Sequence, residues 1–352
     1  MATIVSTAGS TYRKAGARML IDTSGNTFGL VSGGCLEAEI AKQSQSALRT
    51  GRPILLTFDT RAQLGCNGAL KIFVESLRER GAEQLLSAAE SFLRDRKPLI
   101  GTTIFEGGAS AGVALGSYPI AADLELRSTD LTSLPKAILH DGRAAIDAPH
   151  PLTRSYPCED GNIHALFDPI HPAIQLHVLG AGPDTVPLCS LAAQLGWKVT
   201  LIVHPAQRPP EVSDDVSVSI AGPDEIGETL SFDHRTAVVV MTHNYGRDLA
   251  YLAKLIPLSL PYIGLLGPRQ RRESLLADLI AADVPPIAAA TGAFHSPVGL
   301  DIGADGPAEI ALAILAEIKA VLAGRKGGFL RESLLPLHAD RAKSLPVQSA
   351  VS

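Results

Sequence analysis

Cysteine is scarce in this sequence, and long apolar segments are missing. The 352 residues include four cysteines, and their positions fit neither a zinc motif nor a disulfide framework. We therefore expect a reducing, cytoplasmic setting. No apolar run approaches the roughly 18 residues of a membrane-spanning helix, and strand-like residues follow Met1 so closely that no secretory leader is expected.

A surplus of positive charge is also missing. The formal net charge is -5, so the sequence predicts no general attraction to nucleic acid, and no membrane partner is expected. With 46% hydrophobic and 19% charged residues, the composition is that of a compact protein. A chain of this length is expected to form about two domains, each with its own core.

The most informative segment is a glycine turn between an apolar run and a helix-like run. The apolar residues Gln175–Leu179 are followed by Gly180, Ala181, Gly182, Pro183 and Asp184. In α/β domains such a turn presents backbone N–H groups and a helix N-terminus to an anion. The dinucleotide pattern is incomplete, because Thr185 stands at the third glycine position. Val203 and His204 stand where an acidic residue would hold a ribose hydroxyl. NAD(P) binding and a purely structural turn both remain open from these residues.

The second half of the chain alternates strand-like and helix-like segments, which predicts a doubly wound parallel sheet. The predicted strands are Gln175–Leu179, Lys198–Val203, Val216–Ile220, Ala237–Met241 and Tyr262–Leu266. Such sheets bind ligands beyond the carboxyl ends of their strands.

Several polar residues follow those strand ends. Thr242 and His243 follow the fourth strand, and Arg269 and Arg271 follow the fifth. A solvated helix face for the arginines and a satisfied structural histidine are the alternatives. A glycine-rich loop containing Asp301 precedes a helix whose N-terminal cap we expect to be Asp305 or Gly306, with Pro307 in its first turn.

The first half reads as a mixed α+β domain without a regular βαβ pattern. Its predicted elements are a hairpin over 18–31, helices over 36–49 and 82–94, and strands over 53–58, 70–74 and 99–105. The stretch 130–160 is rich in turn formers. Residues 168–172 mark the predicted boundary, which gives domains over 1–168 and 169–324 and a mobile tail over 325–352.

Two cysteines in this half lie beside glycines. Gly33 and Gly34 precede Cys35, and Gly65 precedes Cys66. A helix N-terminus stabilises a thiolate, whereas acidic neighbours oppose it. Each cysteine is therefore either an exposed, functional thiol or an inert small residue that fills a tight turn.

Together these motifs resemble the XdhC/CoxI family of xanthine dehydrogenase accessory proteins. The resemblance extends over nearly the whole chain, and it rests on the segments 5–10, 13–19, 32–37, 65–68, 180–184, 242–244, 264–272 and 299–304. It implies a Rossmann-like second domain. At two of the places that depart from the family pattern, Asn67 replaces a common glycine and residues 203–205 lack the usual aspartate and arginine. The second departure argues against nucleotide binding.

The resemblance further implies a chaperone that binds the molybdenum cofactor (molybdopterin) as cargo. Such a protein protects the cofactor during sulfuration and inserts it into an apo molybdenum hydroxylase of the xanthine dehydrogenase type. A cysteine desulfurase and a second copy of the chain are the other implied partners, and no resident metal is expected. The implied cofactor-binding residues are Arg13, Gly33, Gly34, Cys35, Gly65, Cys66, Gly180, Ala181, Gly182, Pro183, Asp184, Thr242, His243, Arg269, Arg271 and Asp301.

We expect Arg13, Cys35, Cys66 and the turn 180–184 to converge on one interdomain cleft, with Arg269 or Arg271 near the cofactor's phosphate. Two other functions remain alternatives. One is an NAD(P)-dependent oxidoreductase built on the Rossmann-like domain. The other is cysteine-based sulfur transfer, with Cys35 and Cys66 as the candidate thiols.

Overall fold

The protein forms two compact units, one over Met1–Pro172 and one that begins at Ala173. The computed structural model describes residues 1–9, 11–59, 68–77, 82–107, 109, 112–121, 135–148, 150–159, 161–284 and 292–332. The predicted site residues Gly65 and Cys66, and most of the predicted tail, lie outside these ranges. Within them, no helix is both long and apolar enough to cross a membrane.

The first unit contains two antiparallel sheets. One has the order β3-β2-β1-β5-β4 and the other the order β7-β6-β9-β8. The strands are β1 (Ala2–Gly9), β2 (Arg18–Ile21), β3 (Thr27–Gly29), β4 (Ile54–Asp59), β5 (Gly68–Val74), β6 (Leu99–Glu106), β7 (Gly116–Ala121), β8 (Leu152–Cys158) and β9 (Gly161–Ile170). The helices are α1 (Glu37–Thr50), α2 (Ala82–Asp95) and α3 (Lys136–Ala144).

Local sequence explains α1 well. Its buried residues include Ile40, Ala41, Ser44 and Ala47, which recur at the helical spacing and pack towards the core of the first sheet. The helix ends at Gly51, whose φ of 68° is left-handed and whose N–H donates to the carbonyl of Ala47 at 2.9 Å. The predicted helix and the predicted hairpin of β2 and β3 are both confirmed.

The second unit is a six-stranded sheet with the order β12-β11-β10-β13-β14-β15, in which all neighbours are parallel. Its strands are β10 (Gln175–Leu179), β11 (Lys198–Val203), β12 (Val216–Ile220), β13 (Thr236–Val240), β14 (Tyr262–Leu265) and β15 (Phe294–His295). Its helices are α4 (Thr185–Gln194), α5 (Ile226–Thr229), α6 (Tyr245–Leu255), α7 (Arg269–Ala281) and α8 (Pro307–Leu322). This is the Rossmann-like, doubly wound fold that the sequence predicts. The two-residue β15 was not predicted.

Helices cover both faces of this sheet. On one face α4 and α8 pack together through residues such as Leu188, Ala192, Ile314 and Ile318. On the other face lie α6 and α7. The strand order reverses between β10 and β13, so the loops that follow these two strands diverge at a topological switch point. In open α/β sheets this is the place where ligands bind.

Candidate functional site

The glycine turn lies directly after β10 and is shaped by close contact with β13. A Cβ on Gly180 would lie 2.6 Å from the backbone oxygen of Met241, so only glycine allows the turn to pass the end of that strand. Helix α4 then begins at Thr185, whose hydroxyl donates to the carbonyl of Gly182 at 2.8 Å. The turn is therefore rigid and brings Asp184 to the switch point.

Asp184 and His243 meet across the switch point. The Oδ2 atom of Asp184 lies 2.7 Å from Nε2 of His243, although 59 positions separate the two residues in the sequence. His243 has a left-handed φ of 55°, which is uncommon for a residue with a side chain. The Oδ1 atom of Asp184 is buried without a hydrogen-bond partner. The pair thus combines a strained backbone with an unused carboxylate oxygen, a combination typical of functional sites.

A buried carboxylate ties the neighbouring loops together. Asp248, which is 1% exposed, accepts a hydrogen bond from the Thr242 hydroxyl at 2.5 Å. Its other oxygen accepts from Nη2 of Arg271 at 2.6 Å and from Nε at 3.2 Å. Asn244 caps α6 by accepting from the Arg247 N–H at 3.0 Å. The loop after β13 and the start of α7 are therefore held by one network.

An open cleft of about 370 Å³ lies beside this network. Its lining residues come from the loops that follow β13, β14 and β15, and from the first turn of α7. They are His243, Leu266, Gly267, Pro268, Arg271, Pro297 and Val298. The cleft has a cationic group, Arg271, a polar group, His243, and an apolar side formed by leucine, proline and valine. Such a lining suits a ligand with an anionic end and a flat, weakly polar body.

The remaining predicted residues of this unit lie elsewhere. Arg269 is 80% exposed and pairs with Glu273, one turn along the same helix, at 3.0 Å. Asp301 lies exposed in the loop that leads to α8, which is capped by Gly306 with Pro307 at its start, as predicted. The structure thus brings Asp184, Thr242, His243 and Arg271 together, whereas Arg269 and Asp301 face solvent.

Sequence reasoning missed a half-buried carboxylate near the cleft, Glu317. Glu317 on α8 accepts from the Tyr262 hydroxyl at 2.5 Å and from the Gly299 N–H at 2.9 Å. The ring of His295 stacks on Tyr262, with 4.4 Å between the ring centroids. This cluster fixes the loop that carries Pro297 and Val298. The sequence signal that could have identified Glu317 is its position as an acidic residue among the apolar residues of α8.

The protonation states of this cluster follow from its contacts. Burial, with the Glu317 contact second, raises the pKa of the Tyr262 hydroxyl far above its ordinary value, so the hydroxyl stays a donor. Burial alone would raise the pKa of Glu317, but hydrogen bonds from His295, Tyr262 and Gly299 outweigh it and hold that pKa below its ordinary value. Glu317 is therefore a carboxylate at neutral pH.

In the first unit a carboxylate also organises a loop. Helix α1 begins at Glu37, and this side chain accepts from the N–H groups of Val31, Ser32 and Leu36 at 3.2, 2.7 and 3.2 Å and from the Ser32 hydroxyl. Burial would raise the pKa of Glu37, but these hydrogen bonds outweigh it and lower the pKa. Cys35 lies exposed on the loop so formed, with its Sγ atom 3.7 Å from the Ser32 hydroxyl.

Arg13 lies near this loop. A Cβ on Gly33 would approach the Tyr12 ring at 3.8 Å, so the segment of Arg13 and the loop of Cys35 are neighbours. Gly34 has a φ of 105°, which explains a glycine at that position. Among the described residues, no group of three or more histidine, cysteine, aspartate or glutamate side chains could hold a metal ion. The convergence of Arg13, Cys35 and Cys66 with the turn of the second unit stays a prediction.

Comparisons with known proteins cover both units. The family model described as the XdhC Rossmann domain matches residues 176–318, and the model of the XdhC and CoxI family matches residues 1–59. A Bacillus subtilis protein, named as a probable subunit of xanthine dehydrogenase, is 31% identical over 90% of this chain and 91% of its own length.

Two further relatives extend the comparison. An Escherichia coli protein named the molybdenum cofactor insertion chaperone PaoD is 23% identical over 91% of this chain and 82% of its own length. A crystal structure from Bacillus halodurans, titled a xanthine dehydrogenase, superposes with a TM-score of 0.69. It is 26% identical and covers 92% of this chain and 91% of its own.

Proposed function

Because the chain belongs to the XdhC and CoxI family, we propose that it is an accessory protein that prepares a molybdenum hydroxylase by holding the molybdenum cofactor as cargo. The name of the Escherichia coli relative, a molybdenum cofactor insertion chaperone, supports this role. The apo molybdenum hydroxylase is then the protein partner that receives the cofactor. A cysteine desulfurase, as the source of the terminal sulfur, and a homodimer are finer parts of the same proposal.

The observation that carries the proposal is the division of the cleft into a cationic and an apolar side. The phosphate of the cofactor binds beside Arg271, because its guanidinium supplies positive charge and hydrogen-bond donors. The pterin body packs on Leu266, Pro297 and Val298. Asp184 stands at the edge of this site through its contact with His243.

The cysteine loop of the first unit has a separate role in the proposal. Cys35 is exposed on a loop that Glu37 fixes, so its thiol is available to contact the cofactor or to carry sulfur. The Cys35→Ser variant separates these two roles. If sulfuration of bound cofactor stops while binding persists, Cys35 transfers sulfur; if binding weakens while sulfuration persists, Cys35 is a ligand contact.

An anaerobic titration with molybdenum cofactor, followed by fluorescence or calorimetry, tests the cargo role directly. Removing Arg271 alone would leave the buried Asp248 without its cationic partner, so the informative change is the double variant Arg271→Gln with Asp248→Asn. We expect this variant to bind the phosphorylated cofactor about tenfold more weakly, with little change for a dephosphorylated analogue.

The matched control is Arg269→Gln, which removes the same charge from the same helical turn outside the cleft. It should change binding by less than about threefold, as expected for an exposed, screened charge. Equal weakening of both cofactor forms by the double variant would contradict a phosphate site at Arg271. No binding of the cofactor by the wild-type protein would overturn the cargo role as a whole.

The oxidoreductase alternative has weaker support in the site. At the carboxyl end of β11, where an acidic residue would hold a ribose, His204 accepts a hydrogen bond from the Ala206 N–H at 3.1 Å. Titration with NADH and NADPH, together with assays for carbonyl reduction, tests this alternative. Tight nucleotide binding with turnover would replace the cargo role by a dehydrogenase.

A further inference from the structure

We propose that Asp184 decides which ligand chemistry can occupy the glycine turn: its carboxylate excludes phosphate groups and accepts a hydrogen-bond donor instead. This goes beyond the proposed function, because it concerns the ligands that the domain rejects as well as the one it holds. It also gives a physical reason why a Rossmann-like domain with a glycine turn would not bind a dinucleotide.

The first observation is the space in front of Gly182. In dinucleotide-binding turns the second glycine leaves room for the pyrophosphate to approach the backbone. Here a Cβ on Gly182 would collide with Oδ1 of Asp184 and would lie 3.4 Å from Cδ2 of His243. The room that this glycine provides is therefore occupied by two side chains of the same domain.

The second observation is that the carboxylate is fixed in this place. Oδ2 of Asp184 lies 2.7 Å from Nε2 of His243, and His243 follows Thr242, which is anchored to the buried Asp248 at 2.5 Å. A rotation of Asp184 away from the turn would break its contact with His243. A pyrophosphate that entered the turn would thus meet a fixed negative charge at close range, and like charges in such contact repel strongly.

The third observation is the unused oxygen. Oδ1 of Asp184 is buried and has no hydrogen-bond partner, and buried polar atoms of this kind are normally satisfied. An N–H group of a ligand would satisfy it. The ligand class that fits is a nitrogen heterocycle with N–H or amino donors on its edge. This part rests on the proposed function, in which the pterin of the cofactor supplies such an edge.

The exclusion of phosphate groups by Asp184 is tested by calorimetry with inorganic pyrophosphate at low ionic strength. Asp184→Asn keeps the size of the side chain and removes its charge, and we expect it to bind pyrophosphate about tenfold more tightly than the wild type. The control is Asp215→Asn, which removes an exposed charge just before β12 and should leave the affinity unchanged. A change of less than about twofold for both Asp184→Asn and Asp184→Ala, which also removes the atoms in front of Gly182, or an equal gain in the control, would overturn the exclusion.

The double variant Arg271→Gln with Asp248→Asn shows where on the protein the additional pyrophosphate binds. If pyrophosphate enters the glycine turn, the gain from Asp184→Asn persists in this background. If the gain disappears, the anion was bound at Arg271, and the exclusion from the turn is overturned. Asp184 makes no side-chain cap on α4, and Asp184→Ala serves as a second variant if Asp184→Asn is recovered unfolded.

The acceptance of a hydrogen-bond donor by Asp184 is tested with two fluorescent probes, free pterin and 1,3-dimethyllumazine, which has no N–H group. The wild type should bind pterin more tightly than 1,3-dimethyllumazine. Asp184→Ala should reduce this preference about tenfold, because a hydrogen bond to a charged group is lost. An unchanged preference, or no pterin binding by the wild type, would overturn this part of the proposal. The pyrophosphate result does not depend on pterin binding, so a failure of the cargo role is distinguishable from a failure of the exclusion.

Discussion

Two carboxylates, one in each unit, follow glycine-containing turns at the start of a helix, and they are used in opposite ways. Glu37 is 7% exposed and accepts hydrogen bonds from three backbone N–H groups and one hydroxyl. Asp184 has one partner, His243, and an oxygen that is buried without any. The fold supplies donors to both oxygens of the first carboxylate, whereas it leaves one oxygen of the second without a partner.

The difference teaches how to separate a structural carboxylate from a functional one. Both residues follow glycines, and both are acidic groups near a helix N-terminus, so their sequence contexts look alike. What distinguishes them is the number of donors that the fold supplies. We expect the loss of Glu37 to lower the free energy of unfolding and the loss of Asp184 to change which ligands bind.

The largest effect is expected for Glu37→Ala. Removal of this side chain leaves three buried or half-buried N–H groups without an acceptor, at a cost of about 3 kcal/mol or more in the free energy of unfolding. This cost is measured by following the unfolding of the first unit in urea. The matched control is Glu39→Ala on the same helix, where the exposed carboxylate contacts only Gln43 among the described contacts, at 2.6 Å. Equal losses in the free energy of unfolding of the two variants would show that Glu37 is not a special structural carboxylate, and the contrast with Asp184 would not hold.

A smaller effect is expected when the glycine turns themselves are changed. Gly180→Ala places a Cβ 2.6 Å from the backbone oxygen of Met241, which cannot move without disturbing β13. Overpacking of this kind costs about 1–3 kcal/mol. Gly33→Ala meets only the Tyr12 ring, at 3.8 Å, and its midpoint of thermal unfolding should stay near that of the wild type. A tolerated Gly180→Ala would show that the turn of the second unit is less rigid than its contacts indicate.

The pH dependence of stability sharpens the comparison with a third carboxylate. Because the folded-state pKa of Glu317 lies below its ordinary value of 4.5, Glu317 contributes stability above that pH. The contribution is lost as the pH falls through the folded-state pKa. Thermal unfolding of Glu317→Gln should therefore depend less on pH than that of the wild type as the pH falls from neutrality into the acid range. An unchanged slope would place the acid sensitivity in another group.

The smallest effect on stability is expected for Asp184→Ala. This residue provides no helix cap, and its side chain is 20% exposed with a single partner. The free energy of unfolding should change by less than about 0.5 kcal/mol, while the affinity for pyrophosphate rises. Urea unfolding and calorimetry on the same sample measure both quantities. A large loss of stability would make Asp184 a structural carboxylate like Glu37.

The sheet of the second unit was predictable because its central strands are short runs of apolar residues between turn formers. All five predicted strands are confirmed, two of them with a shift of one residue at one or both ends. The sixth, Phe294–His295, is too short to leave a pattern. In the first unit, the stretch 130–160, for which the sequence indicated only turns, contains the helix α3 and the whole strand β8. Strand β8 is largely exposed, so it lacks the apolar alternation that marks a strand.

The candidate site was predictable only in part. The rule that ligands bind at carboxyl ends of parallel strands identified His243 and Arg271, and both line the cleft. The partners of these residues could not be predicted, since the contact of Asp184 with His243 and that of Asp248 with Arg271 join residues 59 and 23 positions apart. Such pairs depend on the positions of neighbouring strands, which a single sequence does not reveal.

The packing of α8 against α4 has a consequence for synthesis of the chain. Leu188 and Ala192 of α4, near the start of the second unit, are covered by Ile314 and Ile318, which leave the ribosome more than about a hundred residues later. At about 5–20 residues per second, this takes several seconds or more. Until then the apolar face of α4, the helix that follows the glycine turn, lacks its cover. We therefore expect α4 to gain its final packing only after α8 has been made, and the cleft, which includes Pro297 and Val298, to bind a ligand only in the finished domain.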